Sequence, residues 1–94
     1  MDRIEHAVRL PDGAAALSSY ARYYMHRDGK VSALYRIPDF PGPRRDDELK
    51  ADNRRWVKDY NDFPIVLDGG CNIVDITFDE TANRFERIEC NGPS

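Results

Sequence analysis

Two cysteines, Cys71 and Cys90, are the residues best placed to do covalent chemistry in this chain. Between them, Asn72 to Asp79 sets Val74, Ile76 and Phe78 two residues apart, which predicts a half-buried strand. Arg84 to Cys90 is a second β-prone run, although its apolar residues Phe85 and Ile88 do not alternate cleanly. Asp79-Glu80-Thr81-Ala82-Asn83 joins the two, and Asn83 suits the left-handed conformation that closes many short hairpins. One antiparallel register sets Ile76 opposite Phe85, Ile73 opposite Ile88 and Cys71 opposite Cys90. Opposed residues in a non-hydrogen-bonded pair stand close enough for a disulfide, so the reading is a Cys71–Cys90 bond across the mouth of a hairpin. Closing such a loop is worth roughly 3 kcal/mol on the chain-entropy model. The alternative is two reduced, buried thiols acting as small apolar residues.

Other chemistry is less well supported. A zinc site needs about four ligands, and His6 and His26 lie far from the cysteines without metal-ligand spacing. A Cys71–His26 catalytic pair has no feature that activates the thiol. Gly69-Gly70 precedes a strand, so it offers an anion no helix N-terminus and reads as a turn or bulge. Asp75 and Glu86 oppose each other in the register above and would form a carboxylate pair, but Arg84 and Arg87 flank it in the manner of a solvated face. Neither a nucleophile motif nor a phosphate loop is present. The remaining constellation is aromatic and basic: Tyr20, Tyr23, Tyr24 and Tyr35 with Arg54, Arg55 and Trp56. Tyrosine, tryptophan and arginine dominate binding hot spots. The expected binding residues are Tyr23, Tyr24, Tyr35, Arg54, Arg55 and Trp56, forming a shallow aromatic groove with cationic edges. The bland alternative makes Trp56 and two of the tyrosines core.

The elements that position these residues follow from pattern. Met1 to Pro11 is a charged lead-in that packs along an edge or is partly flexible. Asp12 suits a helix N-cap, with Gly13 to Ser19 continuing as a short helix. Tyr20 to His26 and Val31 to Ile37 flank Asp28-Gly29, the strongest hairpin signal in the chain. That turn pairs Tyr24 with Ala33, placing Tyr20, Arg22, Tyr24, Val31, Ala33, Tyr35 and Ile37 on one face. PDFPGPRR, from Pro38 to Arg45, is a proline-broken crossing loop with Phe40 packed down. Asp46 to Tyr60 favours a helix, with an extended segment over Arg54 to Lys58 as the alternative. Asn61 to Pro64 ends that element, and Ile65-Val66-Leu67 leads into the last hairpin.

Ninety-four residues, 33 % charged and 40 % hydrophobic, describe one folded domain over 1–94. No apolar run approaches the ~18 residues of a membrane span. A net charge of −3 with interspersed signs argues against nucleic acid as a partner. Residues 1 to 17 lack the apolar region of a signal peptide, which taken literally means cytoplasmic. A cross-linked hairpin instead fits an oxidising compartment, and the two agree if Met1 is not the native start.

The succession YARYY, DGKV, RRWV, DGGC and ECNG, spanning Leu17 to Gly92, resembles small uncharacterised exported bacterial proteins, a domain of unknown function. The resemblance implies residence in the cell envelope and a paired Cys71 and Cys90. It brings no activity, cofactor or catalytic residue, and this chain lacks the leader such proteins carry. The expected fold is α+β: about four antiparallel strands as two hairpins, with one or two short helices. The expected function is a non-catalytic binding module, periplasmic or secreted, that recognises a protein or an anionic polymer without cofactor or metal. A small disulfide-stiffened inhibitor of an extracellular hydrolase is the alternative, and an enzyme comes third.

Overall fold

The computed structural model describes residues 2–38, 49–58 and 70–91. Its centre is one five-stranded mixed sheet, which corrects the expected four antiparallel strands with helices against them. The strands are β1 (Ala21–Arg27), β2 (Lys30–Arg36), β3 (Arg54–Trp56), β4 (Gly70–Asp79) and β5 (Arg84–Asn91), in the order β3-β1-β2-β4-β5. β3 runs parallel to β1, and the other neighbours are antiparallel. Among the described residues the one α-helix is α1 (Asp2–Ala7), accompanied by a single 3-10 turn at Leu17–Ser19.

The β1–β2 hairpin has the register that its turn dictates. Asp28 and Gly29 both take positive φ, 49° and 77°, as a two-residue turn matched to strand twist requires. Arg27 therefore faces Lys30, and Tyr24 faces Ala33. The hairpin of β4 and β5 closes through Asn83 at φ 55°. Its register departs from expectation, pairing Val74 with Cys90, Ile76 with Ile88 and Phe78 with Phe85. Two irregularities cause this, one between Gly70 and Val74 and one between Thr77 and Phe78. The second leaves Glu86 as an extra residue, so Phe85 and Ile88 reach the same face although three apart.

Asp46 to Tyr60 is not helical where it is described. Asp52 has φ 62°, which breaks a helix, and Arg54–Trp56 follows as a strand. Arg22 N–H donates to Asn53 O at 2.9 Å and Val57 N–H to Tyr24 O at 2.8 Å, so β1 satisfies the backbone that a helix would have satisfied internally. The helix expected over Gly13 to Ser19 shrinks to the 3-10 turn for a related reason. Ala15 N–H donates to the Tyr20 hydroxyl at 3.1 Å, which in turn donates to Cys71 O at 2.5 Å. The lead-in supplies α1, whose Ile4 is buried on the sheet beside Tyr20, Tyr24, Tyr35, Val74, Ile76 and Phe78. Tyr23, Met25, Leu34 and Ile73, on the opposite face, are buried too. The crossing loop around Phe40, the segments 46–48 and 59–60, and the runs 61–64 and 65–67 lie outside the described residues.

Candidate functional site

The sheet separates the sequence-predicted site residues into a core group and an edge group. Tyr23, Tyr24 and Tyr35 are 3 %, 0 % and 0 % exposed, and Tyr20 is equally enclosed, so no tyrosine-walled groove forms on the first hairpin. Their hydroxyls are used internally. Tyr23 accepts from Leu49 N–H at 2.9 Å, and the hydroxyls of Tyr24 and Tyr35 bond each other at 2.7 Å. Tyr24 also donates to the Glu5 carboxylate. Glu5 is flanked by Arg22 at 3.3 Å and Arg54 at 3.1 Å. Arg22 is itself buried and reaches Leu17 O at 2.9 Å and the Asp52 carboxylate at 3.1 Å. Burial raises the Tyr24 hydroxyl above its ordinary range, reinforced by Tyr35 and Glu5, and pushes Tyr35 up to about 12. Both stay protonated near neutrality and act as fixed donors in a structural network.

The edge group is Arg54, Arg55 and Trp56 on β3, all exposed. Trp56 leans on Tyr24, with centroids 5.6 Å apart, and stacks on His26 at 4.2 Å and 8°. His26 is thus committed to Trp56 and not to Cys71, which is bonded to Cys90 as expected, with Cα atoms 4.5 Å apart. The predicted Asp75–Glu86 pair does not form. Glu86 sits at the bulge, where its carboxylate takes Lys30 Nζ at 2.9 Å. Asp75 instead opposes Glu89. Its carboxyl lies above the usual range through burial first, with Glu89 adding and Arg87 opposing.

A groove that sequence reasoning missed opens between α1 and the β4–β5 turn. It encloses ≈ 750 Å³ and is lined by Arg3, His6, Ala7, Phe78, Asn83, Arg84 and Phe85. Helical periodicity turns Ile4 down into the core and leaves Arg3, His6 and Ala7 along the groove. The floor is the edge-to-face pair Phe78 and Phe85, 4.9 Å apart, and the Arg3 guanidinium stands 5.1 Å above the Phe78 ring. Among the described residues no carboxylate lines it. Asp79, the acid opposite Arg84, is engaged elsewhere, accepting the N–H groups of Thr81 and Ala82 at 2.9 and 3.0 Å. These bonds, that of Ala82 first, lower the Asp79 carboxyl below its ordinary range, with Lys30 adding. Arg3 and Arg84 therefore have no ion-pair partner among the described residues. Apolar floors with a few convergent polar groups are the usual form of ligand sites, and this volume lies within their range. The sequence signal is faint, because the two walls lie more than seventy positions apart and a six-residue helix leaves little periodicity to detect.

Among the described residues no three His, Cys, Asp or Glu side chains gather as a metal site, and no helix is long and apolar enough to cross a membrane. Comparison with family models, curated proteins and solved structures finds no significant match.

Proposed function

We propose that this protein is a non-catalytic binding module that seats an apolar, acid-flanked peptide segment of a partner protein in the groove between α1 and the β4–β5 turn. The observation that carries this is a phenylalanine floor rimmed by Arg3, His6 and Arg84, with no carboxylate among the described residues of its lining. In a chain of net charge −3, that rim is a local reversal of sign, which favours an anionic segment and steers its approach. The Cys71–Cys90 bond supports work in an oxidising compartment, and the bacterial envelope is the setting we assign.

Fluorescence anisotropy with two labelled hexapeptides tests the reading, one with glutamates flanking two leucines and the other with lysines in their place. The acidic peptide should bind, and Arg3→Glu should weaken it roughly tenfold, as loss of one charge-assisted contact predicts. Equal binding of both peptides, or indifference to Arg3→Glu, would remove the groove from the account.

A further inference from the structure

β5 ends the sheet, and its outer edge presents a charge pattern that complements itself. The run Arg84-Phe85-Glu86-Arg87-Ile88-Glu89 is symmetric in kind about the bulge and antisymmetric in charge. Laid antiparallel against its own copy with the two-fold axis at the bulge, Arg84 meets Glu89, Phe85 meets Ile88, and Glu86 meets Arg87. No like charges oppose each other.

The faces agree as well. Phe85 and Ile88 both lie against the core under α1. Arg84, Arg87 and Glu89 stand opposite Asp79, Thr77 and Asp75 on the other face. Glu86 joins them there through Lys30, the cross-strand partner of Asp79. An unbroken strand could not place these pairs in register about a two-fold, because residues on either side of the axis would fall on opposite faces. The extra residue at the bulge restores the parity. Charges and bulges on an outer strand normally deter pairing with a stray strand. Here they deter every strand except one with the reverse order of signs.

We infer that two copies of this chain associate through β5, extending the sheet across a two-fold axis into a ten-stranded one. The occupant is a second copy because the complementarity is of β5 with itself. It does not rest on the groove reading, although Arg84 and Phe85 also line the groove. A six-residue strand pair buries well under the ~800 Å² per partner of a stable interface, so the dimer is weak, with an expected dissociation constant of ~100 µM.

Sedimentation equilibrium of the disulfide-intact protein from about 10 µM to 1 mM should show reversible dimerisation. Arg84→Glu sets two like pairs across the axis and should weaken it at least ~10-fold. Glu89→Arg should do the same while keeping the fold, since it removes the apposition to Asp75 and gives up only the exposed Arg87–Glu89 ion pair. The double variant, with the signs exchanged, should return to within ~3-fold of the parent. Amides of β5 should gain protection from hydrogen exchange as protein concentration rises. A monomer at 1 mM, a dimer indifferent to either single change, or a double variant that stays monomeric would overturn the proposal. So would protection of Arg87 to Glu89, outside the groove lining, by the acidic hexapeptide in place of self-association, since that edge would then take a foreign strand. The groove is judged separately by Arg3→Glu, since Arg3 lines the groove from α1 and takes no part in the β5 pairs.

Discussion

Single residues decide how this protein handles charge. Glu5 is held between two guanidinium groups and a tyrosine hydroxyl, so its burial beneath α1 is compensated. Asp75 is not compensated to the same degree, since it faces Glu89 on a half-buried surface. Its folded-state pKa is raised, so its contribution to stability is full below the ordinary carboxylate value and is lost as pH rises through the folded one. Asp75→Asn should therefore match or exceed the parent at neutral pH, by under about 1 kcal/mol once solvent screening is allowed for. The difference should vanish in acid, near the unperturbed carboxylate range. Urea unfolding at both pH values checks this, and a variant weaker than the parent at neutral pH would contradict it.

Elements here hold their shape by different means. The β1–β2 hairpin needs little beyond Asp28-Gly29, because two positive φ values in sequence set the register of everything that follows. The β4–β5 hairpin contains two register shifts and is held at its open end by the disulfide. Replacing both Cys71 and Cys90 with serine should cost roughly 3 kcal/mol, seen as a lower urea midpoint. Exchange protection should fall first around 70–74 and 90–91 and persist in β1 and β2. Uniform loss of protection across the sheet would show that the bond supports the fold as a whole. The expected register failed inside this hairpin for a visible reason. Phe85 and Ile88, three apart, cannot share a face of a regular strand, and only the extra residue at Glu86 reconciles them.

For the whole molecule, cohesion converges on Arg22. Its guanidinium joins β1 to α1 through Glu5, to the 3-10 turn through Leu17 O, and to the approach to β3 through Asp52. Arg22→Ala leaves Glu5 with only Arg54 and Tyr24 of its three partners and should destabilise the fold by roughly 3–5 kcal/mol. Thermal unfolding followed by both far-ultraviolet dichroism and Trp56 fluorescence would register it. A loss below about 1 kcal/mol would mean that Arg54 and the Tyr24 hydroxyl suffice for Glu5. The same long-range convergence builds the groove, whose walls come from the two ends of the described chain.

Read alone, the sequence determined the features that depend on neighbours along the chain. These are the Asp28-Gly29 turn and its register, the left-handed Asn83, the alternation of β4, and the bond between the two cysteines at the hairpin mouth. Tertiary structure alone decided the rest. A six-residue helix is too short to form unaided, and α1 exists because Ile4 and Glu5 find partners on the sheet. β3 exists because β1 offers it backbone hydrogen bonds, and Tyr23, Tyr24 and Tyr35 became core because both faces of the sheet are covered. Local pattern can state which residues are able to bind or bury, but which of them stay at the surface depends on what the distant chain lays over them.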